Sequence, residues 1–447
     1  MTDVFTFVGQ AVSDVDSGDT AWMLMATALV IFMTIGLGIF YAGLVRSKNA
    51  LNTFMMCIAA MSVAGISWAL VGYSLAFGDG GGFIGDFSYA FLKDVGFEPY
   101  AEGQTIPHLV FFAFQGSFCI ITAALVSGAV VERMRFSTYL VFIALWSILV
   151  YPVLAHWVFG GGFLFDGGTL DFAGGVAVEM ASGFSALAAA LVVGTRKDYG
   201  RQALLPHNAV LVLLGAGILW FGWFGFNGGS GLGTGNQSIL AFANTLLTPA
   251  VSLAVWFLLD AIRGRKVTAI GAATAILVGC VLITPAGGFV SPGWALVLGV
   301  VGTIPCYLLV AYRPRTRVDE TLDVLAVHGL AGLLGILYIG LVAQEAWNGV
   351  EAAGLAPGGD GLFYGGASLL GDQALAALLT PLYAFGATFV ILSAIKLVMG
   401  LRSTEDEESV GLDVIYHGEE AYPTGEGAIL VIPEAAHDTP VPVADPG

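Results

Sequence analysis

Asp171-Phe-Ala-Gly-Gly-Val-Ala-Val-Glu179 sets two carboxylates into a segment that otherwise reads as membrane-spanning. An acid moved to the middle of a bilayer costs on the order of 2.5 to 3.5 kcal/mol even on the lenient insertion scale, so its presence there points to function. The apolar run after Asp171 ends only at Arg196 and Lys197. This pattern predicts a helix starting near Asp171, which carries Glu179 about 12 Å further in, close to the midplane of a core roughly 30 Å thick. Asp171 then caps free backbone N–H groups at a helix N-terminus. The first acid has a structural explanation; the second does not.

Outward from that stretch the composition is of one kind. Of 447 residues 57% are hydrophobic and 11% charged, which excludes a string of soluble domains and makes the chain a polytopic membrane protein. The 62 glycines scattered through apolar runs suit helices that pack backbone to backbone. Cys57, Cys119, Cys280 and Cys306 all fall inside apolar runs and read as small core residues rather than a disulfide framework. Sixteen basic against 33 acidic residues, a net charge of -17, argue against nucleic acid as a partner. Acidic loops and tail suggest a halophilic microbe that keeps high salt inside, where mutual repulsion of carboxylates is screened.

Residues 1–21 carry Asp3, Asp14, Asp16 and Asp19 without Lys or Arg, unlike the basic start of a cleaved signal peptide, and are expected outside the cell. Apolar runs follow at 22–45, 52–77, 109–131, 137–159, 172–194, 208–227, 238–262, 267–284, 292–312, 322–343 and 373–400, most near or above the roughly 20 residues that span a bilayer. The fold class is therefore all-α with eleven transmembrane helices. Basic residues gather after the odd spans (Arg46 and Lys48, Arg133 and Arg135, Arg196 to Arg201, Arg263 to Lys266, Arg313 to Arg317, Arg402), while the loops after even spans carry only Lys93. By the positive-inside rule the N-terminus lies outside and the C-terminus in the cytoplasm.

Spans one to five and six to ten form two blocks of equal size and opposite orientation. Asp171 opens span five and Asp323 opens span ten, the pattern of an inverted repeat with its site at the repeat interface. The expected organisation is a transporter domain over 22–400, made of repeats 22–200 and 208–343 with helix eleven at 373–400, followed by an acidic cytoplasmic tail, 401–447. In that tail Gly411 to Glu419 reads as a docking segment and the end beyond it as loose.

Span ten contains Asp323-Val-Leu-Ala-Val-His328-Gly. Taken alone, His328 reads equally as a packing residue. Its symmetry mate changes the reading, because Glu179 and His328 occupy the same span of opposite repeats and can meet on one central path. A Glu–His pair exists as an ion pair or a neutral pair and passes a proton between those states at modest cost. Aromatics dominate the other candidate stretches: Phe114-Gln-Gly-Ser-Phe118, Trp157-Val-Phe159-Gly-Gly-Gly, and Trp220-Phe-Gly-Trp223-Phe-Gly-Phe226-Asn-Gly-Gly-Ser230. Trp157 and Trp220 read as an interfacial belt. Paired rings next to glycines suit a small desolvated cation, attracted by roughly 0.5 to 2 kcal/mol per ring, and close a pore to water.

These segments, with Asn244-Thr-Leu-Leu-Thr-Pro, Thr284-Pro-Ala-Gly-Gly and Gly411-Leu-Asp-Val-Ile-Tyr-His-Gly-Glu, resemble the Amt/Mep/Rh ammonium transporters, the Amt branch in particular, from Tyr41 to Tyr422. The resemblance implies a homotrimer of eleven-helix protomers, each with its own pore. It implies an outer ammonium site at Phe118, Phe159, Phe226 and Ser230 supported by Asp171, and a twin-ring gate from Phe118 and Phe226. It also implies a path lined by Trp223, Phe114 and Asp323. Most such transporters have two histidines at the midpoint; here the first is Glu179, as in a fungal subgroup. The usual outer Trp is Phe159, a ring with a smaller negative face and no N–H donor.

The expected function is ammonium uptake across the plasma membrane. The cation is recruited outside and deprotonated near the rings, with NH3 conducted and the proton relayed through Glu179 and His328. A passive NH3 channel is the nearest alternative, and an ammonium sensor signalling through its tail to a cytoplasmic P-II protein is another. An intramembrane hydrolase is disfavoured, since the chain lacks a nucleophile elbow, a facing Asp pair or a His-Glu-x-x-His motif. No enzyme activity, cofactor or metal is expected.

Overall fold

The computed structural model describes residues 15–348 and 359–422. The acidic start up to Asp14, residues 349–358 and the tail beyond Tyr422 lie outside the described residues, and with them the expectations of an exported start and a loose end. Among the described residues, ten helices are long and apolar enough to cross a membrane. They are Ser17–Leu44, Ser47–Phe77, His108–Ser127, Phe136–Asp166, Gly175–Val193, Ala209–Gly229, Asn236–Ile262, Pro292–Arg315, Leu325–Val342 and Ala367–Val398. The shorter Ala269–Ile283 falls between the seventh and eighth of these and makes span eight. Its path is completed by residues 284–290, a non-helical turn in which every residue is buried. Irregular backbone at membrane depth is tolerated only where protein surrounds it.

The two ends of the bundle differ. At one, called the loop end, lie the start of span one and the connections at 78–107 and 359–366; at the other, the tail end, residues 401–422 pack. Spans three and five are buried over 78% of their most apolar stretch, against 33% for spans two and seven, so the former stand in the centre and the latter at the rim. Span one runs along span six through glycines. A side-chain carbon at Gly225 would come 2.7 Å from Leu29 Cβ, and one at Gly43 2.8 Å from the Asn208 carbonyl. Backbones this close gain dispersion contacts that lipid tails cannot offer, which is how membrane helices associate. The four cysteines are buried and free.

At the tail end buried charges are tied pairwise. Glu132 accepts from Arg46 Nε at 2.8 Å, from Asn49 Nδ2 at 2.9 Å and from Arg196 Nη1. Asp319 accepts from the Arg196 backbone N–H, Nε and Nη2 at 2.7 to 2.9 Å and lies 3.6 Å from Arg133 Nη1. These bonds join the ends of spans one, three and five to the approach to span ten. The tail closes over them. Glu408, 2% exposed, accepts from Arg402 Nε at 2.7 Å and from the Lys197 N–H at 3.1 Å. Asp413 accepts from the Leu51 and Asn52 N–H groups at 3.1 and 2.7 Å, capping the helix of span two. The segment expected to dock is thus docked.

Candidate functional site

The site begins where span five enters the bundle. The helix starts at Gly175, not near Asp171 as the sequence suggested, because Gly174 takes φ 108° and residues 172–174 run non-helical into the core. A positive φ of that size suits glycine alone. Asp171 Oδ1 accepts from Gly174 N at 2.9 Å and Gly175 N at 2.6 Å, and Oδ2 from Val176 N at 2.8 Å. The carboxylate therefore supplies the acceptors that an irregular helix start at membrane depth lacks. All three bonds go to the backbone of its own helix start, and Asp171 is absent from the lining of the chamber above it.

Span ten opens in a matching way. Glu320 accepts from Val324 N at 2.9 Å and Leu325 N at 3.3 Å, and Asp323 takes φ 60°. Glu320 stands as far beyond Asp171 as His328 stands beyond Glu179, 149 residues, and at that offset Asp323 corresponds to Gly174. The expected symmetry mate of Asp171 is therefore corrected from Asp323 to Glu320. Asp323 instead pairs with Arg313, about one-fifth exposed, and borders a surface groove with Trp256 and Arg265. It does not line the central path.

Both helices then begin with a π-helical turn, Gly175–Met180 in span five and Leu325–Leu330 in span ten. Such turns recur at functional sites. Each contains one ionisable residue, and the two meet: His328 Nδ1 lies 2.7 Å from Glu179 Oε2. Glu179 is 0% exposed, and its second oxygen, Oε1, has no hydrogen-bond partner. The contact needs the two backbones to come close, which Gly183 and Gly329 permit where spans five and ten cross.

Glu179 and His328 line an inner chamber whose other walls include Met33, Leu37, Ile121, Leu219 and Trp223. Oε1 of Glu179, buried and without a hydrogen-bond partner, thus belongs to a residue of a largely apolar lining. Trp223 donates its indole N–H to Thr284 Oγ1 at 2.8 Å, so it offers the chamber a ring. Above, a second chamber is lined by Phe111, Gln115, Phe118, Phe159, Phe172, Ser230 and Leu232. Between the two stand Phe118, which lines the upper chamber, and Phe226, which lines the lower. Their rings stack with centroids 4.1 Å apart and planes 26° from parallel.

The structure thus brings Phe118, Phe159 and Ser230 into one chamber, Glu179, His328, Trp223 and Phe226 into the other, and leaves three expected residues outside both. Asp171 holds the start of span five, and Asp323 pairs with Arg313. Phe114, also 0% exposed, packs edge-on behind Phe118 at 4.9 Å and braces that ring. Ser230 Oγ donates to the Phe226 carbonyl at 2.8 Å, leaving its lone pairs for a donor in the chamber. Trp157 is buried rather than interfacial: it donates to the Phe83 carbonyl at 3.0 Å and packs on Phe163 and Tyr383. The sequence reading missed Gln115, Phe172 and Glu320 as site residues. Gln115 lies three residues before Phe118, on the same face of span three, and that spacing was the available signal.

The Ammonium Transporter Family model matches residues 21–422. The ammonium transporter of Bacillus subtilis is 43% identical over 406 residues, covering 91% of this chain and 98% of that one. Among solved structures, Mep2 of Saccharomyces cerevisiae is similar with a TM-score of 0.83 at 32% identity, covering 88% of this chain and 89% of that one. A structure titled Sensor Amt Protein is similar with a TM-score of 0.81 at 29% identity, covering 90% and 98%.

Proposed function

Because the chain belongs to the ammonium transporter family, a family of multi-pass membrane proteins, we propose that it takes up ammonium by splitting it into NH3 and a proton. The loop end faces outward and the tail end the cytoplasm of the plasma membrane, as the basic residues after odd spans require. NH4+ is gathered in the upper chamber against the faces of Phe118 and Phe159 and the Ser230 oxygen. An N–H bond breaks near the stacked rings; the electron pair stays on nitrogen and the proton passes to the Glu179 carboxylate and on to His328. NH3 crosses the apolar inner chamber and regains a proton beyond it. A desolvated NH4+ would find too few oxygen ligands among these walls to cross intact.

The observation that carries this reading is the Glu179–His328 contact of 2.7 Å beneath the stacked rings, with Glu179 lining the inner chamber and its Oε1 left without a hydrogen-bond partner. Its test is a solid-supported-membrane current measurement on the purified protein in liposomes, with ammonium and potassium pulses. Ammonium current without potassium current is the expected result. Flux without current would mean a passive NH3 channel.

The working unit is a homotrimer in which each protomer keeps its own path, built from repeats 22–200 and 208–343 with helix eleven outside them. The acidic solvated surface suits a cytoplasm of high salt. A second reading is favoured by the docked tail, whose Asp413 caps span two: the chain reports ammonium binding to a cytoplasmic P-II protein. Negligible flux together with ammonium-dependent P-II capture would favour that reading.

A further inference from the structure

Gly183 and Gly332 stand where the two halves of the chain touch, each opposite the other half's central residue. A side-chain carbon at Gly332 would lie 2.6 Å from Glu179 Cβ, 3.2 Å from the Gly175 carbonyl oxygen and 3.3 Å from the Met180 nitrogen. One at Gly183 would overlap the Gly329 backbone and lie 3.3 Å from the His328 carbonyl carbon. Each glycine also follows the ionisable residue of its own half by four positions, Glu179 by Gly183 and His328 by Gly332. Residues four apart share a helix face, so each half presents one ionisable side chain and, a turn later, a glycine against which the other half packs: Gly332 against the Glu179 Cβ, and Gly183 against the Gly329 backbone next to His328.

We propose that Gly183 and Gly332 are positioning residues of the proton relay: the two close approaches hold the Glu179 carboxylate against the His328 imidazole and thereby set the pH profile of transport. This rests on the relay reading above. The titrations of a carboxylate and an imidazole couple the more strongly the closer the two stand and the better they are hydrogen-bonded. Their hydrogen bond is lost once the atoms part by much more than half an ångström. Relief by side-chain rotation is not open to Gly332, because its nearest neighbours are a Cβ fixed to the backbone and two backbone atoms. An alanine there displaces the whole π-helical turn that carries Glu179.

Gly299 supplies the control. A side-chain carbon there would lie 2.8 Å from Val251 Cβ and 2.9 Å from the Thr248 carbonyl, also closer than 3.0 Å, between spans nine and seven and away from the pair. Ammonium-driven current is recorded from about pH 5 to about pH 8 for the parent, Gly332→Ala and Gly299→Ala, with thermal unfolding of each. Both alanines should lower the unfolding midpoint, and Gly332→Ala alone should move the midpoint of the current's pH profile, by about one unit. A folded Gly332→Ala protein with the parent profile, or an equal shift in Gly299→Ala, overturns the proposal. Where Gly332→Ala does not fold, Gly332→Ala with Glu179→Gly removes the carbon that the alanine meets. Recovery of folded protein then locates the collision at the relay, and failure to recover it overturns the proposal. Failure of the relay reading itself has a different signature: Glu179→Gln alone would keep its ammonium current whatever the glycine variants do.

Discussion

The carboxylates of Asp171 and Glu320 close the same turn in the two halves of the chain, each accepting from the N–H groups four and five residues further on. Asp171 accepts a third from Gly174. An amide in its place offers one oxygen and turns an NH2 group toward a backbone donor. Asp171→Asn should therefore cost about 1.5 to 3 kcal/mol, the range for hydrogen bonds to a charged group, and lower the current by loosening the start of span five. Asp323→Asn should do neither. Among the described residues the Asp323 carboxylate accepts no backbone N–H at the helix start and borders a surface groove, and Asn tolerates the left-handed backbone at φ 60°. Thermal unfolding and current for both variants check the pairing, and equal losses at the two positions would count against it.

Phe159 lines the upper chamber together with Gln115 and Ser230. A tryptophan there presents a larger negative face and an N–H donor. Phe159→Trp should lower the half-saturating ammonium concentration about two- to tenfold, for a gain of about 0.5 to 1.4 kcal/mol. A concentration series of peak currents reads this directly, and unchanged or weaker binding would mean that this wall of the chamber does not hold the cation.

The docked tail makes two truncations differ. A chain ending before Thr404 loses Glu408, which accepts from Lys197 and Arg402, and Asp413, which caps span two. Its current or its capture of a P-II protein should change. A chain ending after Pro423 keeps every one of those bonds and should behave as the parent. Indistinguishable truncations would remove the tail from regulation.

Burial pushes the Glu132 carboxyl up, but Arg196 and Arg46 beside it hold it below the usual carboxylate range. Its folded-state value being lower than its unfolded one, Glu132 stabilises the protein above the ordinary glutamate range, and that contribution is lost as pH falls through the lower, folded value. Glu132→Gln at neutral pH removes the carboxylate that Arg46 and Arg196 share, leaving Arg196 on Asp319 and Arg46 on Asp198, and should cost about 1.5 to 3 kcal/mol. The gap between parent and variant unfolding midpoints should narrow as pH falls from about 6 toward about 3. A gap constant across that range would mean that charge is not what Glu132 contributes.

What the sequence made legible follows from chemistry that acts over short stretches. Eleven apolar runs read as spans because a bilayer demands them, and Glu179 and His328 stood out because ionisable residues there are costly. The matching of Asp171 to Asp323 misread the turn. Which acid caps a helix depends on where the chain takes a positive φ, and Gly174 and Asp323 share that conformation without sharing a side chain. Glu320, three residues earlier, lay outside the apolar run and looked like loop. Phe114 and Trp157 could not be assigned from type alone, since an aromatic ring serves equally as lining, brace or core.

Glu179 gives the sharpest test, because one oxygen is held by His328 and the other has no partner in a chamber of apolar walls. A carboxylate so placed accepts a proton at Oε1 while its bond to the imidazole at Oε2 persists, which is what a relay needs. Glu179→Gln keeps the shape and a hydrogen bond to His328 but has no site for a transferable proton. Ammonium-driven current should fall to about a tenth or less, a rise of about 1.4 kcal/mol or more in the barrier. Glu179→His should restore current with a different pH profile, since two imidazoles then share the proton. The alternative is that the carboxylate only shapes the field of the chamber and admits some K+. In that case Glu179→Gln would retain ammonium current and change the ratio of ammonium to potassium current, and the relay would have to be abandoned.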